Sequence, residues 1–246
     1  MASPAGISPS NYLALPKSGK GAGVLVLHAW WGLNGFFREL CERLAREGFV
    51  ALAPDLYRGN VATTPAEARN LRSKMKSRQV SADILSAVEQ LRGLPAVTSK
   101  TLGVIGVSWG ANWAFWLSLE EPELISAVVV FYGTKTADYS GAASAYLGHF
   151  AESDSWVARS SVRKLEKRLH TATRPVSFHT YKGTEHWFFE SDRKDAYNAK
   201  AAQLAWERTL AFLSTRLANK SKKHVDASNS PSRRTPKKRG TAQDQR

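Results

Sequence analysis

A chain of 246 residues is long enough to bury one large core, and α/β domains of this size commonly stay undivided, so one domain is expected. No apolar run reaches the length a bilayer-crossing helix needs, so no membrane partner is expected. The net charge of +14 points to nucleic acid only until it is located: residues 219–246 hold nine Lys or Arg and two acids, so half of the excess lies in this tail.

With Ser, Asn, Pro and Gly between its charges and almost nothing apolar, segment 219–246 cannot offset its ordering entropy, and its composition predicts a basic, disordered tail. It would solubilise the chain and allow weak binding of polyanions. Met1 to Pro16 has neither the basic start nor the apolar stretch of a signal peptide, and Cys41 is the only cysteine. Both features lead to the expectation of a cytoplasmic protein without disulfides. Cys41 shares a helical face with Phe37, Leu40 and Leu44, as a small core residue would.

Along the chain, β-type apolar runs alternate with amphipathic helical stretches, the pattern of a mostly parallel sheet covered on both faces. Val24–Leu27 reads as a buried strand, followed by a helix from a loop at Gly35 to about Glu47. Gly48 ends that helix, and Phe49–Ala53 is the next strand. Thr64-Pro65-Ala66-Glu67 supplies an N-cap and a helix-starting proline, with a strongly basic continuation from Arg69 to Arg78 that reads as a solvated face. A second helix spans about Ser81–Leu91. Strands are predicted at Leu102–Val107, Ala127–Tyr132, Ala145–Phe150 and Val176–Tyr181, with a last helix from about Ala196 to Leu217. The α/β domain is thus 1–218 and the tail 219–246.

Gly106-Val107-Ser108-Trp109-Gly110 lies directly between a predicted strand and a helical run. This is the nucleophile-elbow pattern, in which a strained turn lifts a serine hydroxyl above the sheet and flanking glycines let strand and helix approach. The five-residue pattern alone arises by chance in roughly one chain in ten of this length, so the strand-turn-helix context carries the reading. Serine needs a base to take its proton, and the base needs an acid to fix its tautomer. His186 lies in a loop just past a predicted strand, whereas His149 and His179 fall inside strands. For the acid, Asp154 and Asp138 each follow a predicted strand between Ser108 and His186, and position favours Asp154 only moderately.

The segments Leu27-His28-Ala29-Trp30-Trp31-Gly32-Leu33-Asn34, Ala53-Pro54-Asp55-Leu56-Tyr57-Arg58-Gly59, the elbow, Glu152-Ser153-Asp154-Ser155-Trp156-Val157 and Glu185-His186-Trp187-Phe188-Phe189 together resemble the dienelactone hydrolases, over about residues 12–217. The resemblance implies an α/β-hydrolase fold, Asp154 as the third member of the triad, and Trp30 N–H as an oxyanion donor. Trp109 N–H, just after the nucleophile, is the other donor. Trp31 and Trp187 are candidates for pocket walls, and His28 for a structural residue fixing the oxyanion loop. Three positions depart from the family: Ser108 where familiar members have Cys, Ala29 where they have Glu, and Glu190 where they have a substrate-binding Arg. The first two fit ordinary Ser-His-Asp chemistry. The third, if Glu190 faces the pocket, favours neutral substrates over anionic ones, unless the pocket contains another cation, such as one from the Arg69 to Arg78 helix.

No metal-ligand spacing and no dinucleotide fingerprint occurs, so no cofactor and no metal are expected. The sequence therefore reads as a carboxylic ester or lactone hydrolase acting through an acyl-enzyme on a small molecule. Its rivals are a catalytically silent binding module and the same triad used as a peptidase or acyl transferase. Oligomeric state is not legible. Removing residues 219–246 should leave melting temperature and esterase rate within error of the full chain; a large drop in either would show that the tail joins the core.

Overall fold

The computed structural model describes residues 10–218, and the basic segment 219–246 lies outside them. Seven strands form one sheet in the order β1-β3-β2-β4-β5-β6-β7. They are β1 (Tyr12–Ala14), β2 (Ala22–Leu27), β3 (Phe49–Ala53), β4 (Leu102–Val107), β5 (Ile125–Phe131), β6 (Ala145–Ser153) and β7 (Val176–Glu185). All neighbours pair in parallel except β1, which runs antiparallel to β3. Three-residue β1 is too short to leave a periodic signal and escapes the sequence reading.

The strands are apolar on both sides, as a doubly covered parallel sheet requires. Val24, Val26, Ile105, Val107 and Val129 join a core on one face with α1 (Gly35–Arg46) and α6 (Ala199–Leu217). Leu25, Leu27, Val104, Val128 and Val130 join the other core with α3 (Ser77–Arg92), α4 (Trp109–Glu120) and α5 (Arg159–Thr171). The period-2 alternation of side chains thus divides each strand between two cores.

Local capping chemistry sets the helix starts. Asn34 accepts from Phe37 N–H at the head of α1. Thr64 and Glu67 form a full capping box ahead of Pro65 in α2 (Pro65–Ser73). The basic stretch after it is not one helix. Lys74 and Met75 close α2 with i→i−3 bonds, and α3 begins at Ser77, so Arg72 and Arg78 fall on opposite sides of a break.

Strands β6 and β7 run further than expected. As a result Ser108, Asp154 and His186 are each the first residue after a parallel strand: β4, β6 and β7 respectively. The carboxyl ends of parallel strands form the rim where α/β folds place their sites.

The turn from β4 into α4 leaves no room for side chains at its glycines. A Cβ on Gly106 would lie 2.6 Å from Gly110 O and 2.8 Å from Ala114 Cβ, and one on Gly110 would collide with Leu27 O. Gly110→Ala must therefore push α4 off the sheet, and overpacking of this kind costs about 1–3 kcal/mol. Its melting temperature should fall by several degrees. Gly35→Ala, whose Cβ would meet nothing within 4 Å, should melt within about a degree of wild type; equal effects would show that the crowding at Gly110 relaxes without cost.

Candidate active site

Ser108 occupies the tip of the β4–α4 turn with φ 51° and ψ −109°, a strained conformation for a residue with a Cβ. Its own N–H donates to Phe131 O (2.9 Å) and its carbonyl accepts from Ala111 N–H (3.0 Å), which hold the turn against β5 and α4. Among the described residues, five non-glycines have positive φ, and three of them, Ser108, Tyr132 and Trp187, line one cavity of about 220 Å³. Backbone strain is concentrated where the site lies.

Ser108 Oγ lies 3.0 Å from His186 Nε2. On the far side of the ring, His186 Nδ1 lies 2.8 and 3.0 Å from the two oxygens of Asp154. The side chains of His186 and Asp154 are only 6% and 4% exposed. Asp154 Oδ1 also accepts from Trp156 N–H (2.8 Å) and Val157 N–H (2.9 Å), so the carboxylate is held in place from two directions. Asp138, the competing candidate, is exposed and accepts from the N–H and hydroxyl of Ser140. The geometry brings together Ser108, His186 and Asp154 and leaves Asp138 out.

Trp30 and Trp109 also line the Ser108 cavity, and the backbone N–H of neither donates to an acceptor among the described residues. Trp109 is the first residue of α4, where the helix dipole adds to the attraction for a negative oxygen. His28 fixes the strand exit leading to Trp30. Its Nδ1–H donates to Ala29 O (2.7 Å), and its Nε2 accepts from Leu56 N–H (3.2 Å). Full burial pushes its pKa down to about 4, so the ring is neutral and carries both bonds at neutral pH.

Of the two expected pocket walls, Trp187 lines the cavity and Trp31 does not. Trp31 is 2% exposed and packs on Trp30, with the Arg193 guanidinium 3.8 Å above its ring; it borders another cavity of about 930 Å³, which Ser108 does not line but which shares Trp156, His186 and Trp187 with the first. A ring already covered by a cation and an indole presents no face to a ligand at Ser108. The sequence reading missed Trp156 and Tyr132. Trp156 is 52% exposed, lies 5.2 Å from Trp30 and 6.1 Å from His186 between ring centroids, and closes one side of the cavity. Tyr132 lies 4.6 Å from the His186 ring. Strand β5 ends one residue earlier than expected, and this frees Tyr132 to turn into the site.

Glu190 does not face the cavity. It is fully buried, and Tyr132 Oη donates to its Oε1 (2.8 Å). The cation in the cavity comes from elsewhere: Arg72, near the end of α2, is part of its lining. The preference for neutral substrates, which rested on a pocket-facing Glu190, thus loses its structural basis.

A strained serine on a strand-turn-helix, hydrogen-bonded to a histidine and through it to a carboxylate from later strand ends of a mostly parallel sheet, is the arrangement of the α/β-hydrolase class. The model of the dienelactone hydrolase family matches residues 10–217, and the chain belongs to that family of ester- and lactone-cleaving hydrolases. "Protein usf" of Aquifex pyrophilus is 34% identical over 216 residues, covering 84% of this chain and 93% of that protein. A "Putative carboxymethylenebutenolidase" of Aquifex aeolicus is 32% identical, covering 86% and 95%. The crystal structure of a dienelactone hydrolase from Klebsiella pneumoniae, so titled as putative, aligns with a TM-score of 0.74 at 25% identity, covering 83% of this chain and 92% of that one.

The burial of Glu190 has a stability signature. Desolvation raises its pKa from 4.5 to about 8, so between these values the folded state holds a proton that the unfolded state releases. This group's contribution to stability is present below about pH 4.5 and is lost as pH rises toward 8. Glu190→Gln keeps an acceptor for Tyr132 and removes the titration. Its melting temperature relative to wild type should climb by several degrees from pH 5 to pH 8.5; a constant difference across that range would show that Glu190 is ionised in the fold.

Proposed function

We propose that this protein hydrolyses a small carboxylic ester or lactone through an acyl-enzyme on Ser108, with His186 as general base and Asp154 as its orienting acid. The observation that carries this reading is the continuous chain Ser108 Oγ–His186 Nε2, His186 Nδ1–Asp154, at hydrogen-bond distance throughout. Membership of a family of ester- and lactone-cleaving enzymes, and the carboxymethylenebutenolidase name of one relative, support the substrate class.

The geometry supports the following steps. Ser108 Oγ attacks the scissile carbonyl carbon as its proton passes to His186 Nε2, and Asp154 stabilises the resulting imidazolium. The carbonyl oxygen becomes an oxyanion, met by Trp30 N–H and Trp109 N–H, each donor being worth about 2.7–4 kcal/mol in such sites. Collapse breaks the ester C–O bond, and His186 returns the proton to the departing oxygen. With a lactone, the new hydroxyl stays attached to the acyl group. Water then repeats the attack on the acyl-serine with His186 again as base, releasing the carboxylic acid and restoring Ser108. These steps consume one water and require no redox partner. The composition and expected lack of disulfides support a cytoplasmic setting, and no helix among the described residues is long and apolar enough to cross a membrane.

Ser108→Ala should abolish labelling by a fluorophosphonate probe and reduce ester hydrolysis to near background while the protein melts as before. His186→Ala should be comparably severe, since members of a triad act as a unit. Asp154→Asn should lower kcat by about 10⁴, the loss found when the acid of a serine-protease triad is amidated. Asp138→Asn should be close to silent. Full activity in Ser108→Ala would end the acyl-enzyme reading, and a crippled Asp138→Asn beside a healthy Asp154→Asn would transfer the acid role.

A further inference from the structure

The Ser108 cavity, at about 220 Å³, is smaller than the roughly 300–1,000 Å³ usual for small-molecule sites. It does not end at its own walls. Arg72, Trp109 and Asn112 also line a second cavity of about 430 Å³, so the two are contiguous across these three side chains. Together they reach the usual range.

The second cavity has a marked chemistry. Arg72, Arg78 and Lys135 surround it, and among the described residues none of the three forms an ion pair or lies over an aromatic ring. They arrive from three separate segments: the end of α2, the start of α3 and the loop after β5. The α3 N-terminus opens onto the same space through Ser77 and Arg78, with no side-chain cap and no acidic residue in its first turn. Its dipole therefore adds to the cations instead of being neutralised. The opposite wall is Trp109, Trp113 and Trp116, partly buried indoles that meet edge to face at 6.2 and 5.5 Å. Like charges gathered without counter-ions repel one another, and an aromatic wall beside them, which offers both indole faces and indole edges, favours a ligand that has both an arene and an oxyanion.

We propose that this groove is a second subsite of the hydrolase, taking an aromatic, anionic portion of the substrate that lies beyond the scissile ester while the ester itself occupies the Ser108 cavity. The proposal rests on the acyl-enzyme reading above for the position of the ester. The class of substrate it names is an ester whose remote end is an arene carrying a carboxylate. Arg72, common to both cavities, faces the junction, and Arg78 and Lys135 set the preference at the distal end.

The test compares, on the full chain, the acetate ester of a hydroxynaphthoate with the same ester in which the ring carboxylate is a primary amide. In wild type the carboxylate should be favoured by about tenfold in kcat/KM, chiefly through KM, and the advantage should shrink with added salt. In the Arg78→Ala/Lys135→Ala double variant, matched in melting temperature, the ratio should fall to near one. Lys164→Ala, which removes an exposed charge on α5, should keep it. A ratio near one in wild type, or one that survives the double variant, overturns the subsite. A second arm needs no turnover: calorimetric binding of the free hydroxynaphthoate to Ser108→Ala protein should be lost when Arg78 and Lys135 are also replaced. If neither ester is hydrolysed and no probe labels Ser108, the acyl-enzyme reading fails, while this binding measurement still decides the groove. Equal binding with and without the two cations overturns it.

Discussion

The contact between β4 and α4 governs the architecture of the site. Gly106 lies against Gly110 O and Ala114, and Gly110 against the carbonyls of Leu27 and His28, so the helix approaches the sheet as closely as backbone allows. A helix that starts this soon after a strand forces the residue between them into positive φ, and that residue is Ser108. The same closeness puts the first N–H of α4 beside the serine and carries Trp109 to both cavities and Trp113 and Trp116 to the second. The position of Ser108, the N–H at the head of α4 and the indole wall follow from one steric fit.

The remaining parts of the site depend on how loops are tied to that fixed point. Asp55 accepts from the N–H groups of Tyr57 and Gly59 and shapes the loop after β3. Leu56 of that loop donates to His28, and His28 bonds Ala29, so the backbone at Trp30 is held from β3 as well as β2. A charged imidazole could not accept from Leu56, which makes the burial of His28 part of how the loop at Trp30 is built. On the other side, β6 and β7 extend past the expected ends and deliver Asp154 and His186 in register, with Ser153 paired to Glu185 one residue before each. Asp154 and His186 are thereby aligned by sheet pairing, while Tyr132, bound to buried Glu190, covers the His186 ring.

What the sequence made legible was what local chemistry and spacing determine. The strands Phe49–Ala53 and Leu102–Val107, the capped start at Thr64 and the elbow at Ser108 all announce themselves within a few residues, because glycine, proline and alternating apolar positions act locally. The break between α2 and α3 carried no glycine or proline and was hidden in a basic run. Short β1 needed β3 to exist, and the late ends of β6 and β7 follow from their mutual pairing. The choice between Asp154 and Asp138 was likewise a long-range matter, favoured only moderately by position and further by resemblance, while in space one carboxylate meets His186 and the other caps a surface turn.

Glu190 and Arg72 mark where counting residues along a motif fails physically. Four residues past His186, a side chain on the family's substrate-binding position would be expected at the cavity, yet Trp187 has φ 71° and turns the chain inward. Phe188, Phe189 and Glu190 are consequently buried beneath the site, and the carboxyl finds Tyr132 instead of a ligand. The charge that the cavity does contain comes from a helix more than a hundred residues earlier, whose basic run reads first as a solvated face and only second as the source of a pocket cation, because nothing in its sequence indicates what it packs beside. Charge at a site is set by which elements border the cavity, and here α2, α3 and the β5 exit contribute cations while the nearest acid of the motif is withdrawn into the core. Such an arrangement inverts the electrostatic sense that the motif position alone conveys, with no change in the residues of the triad.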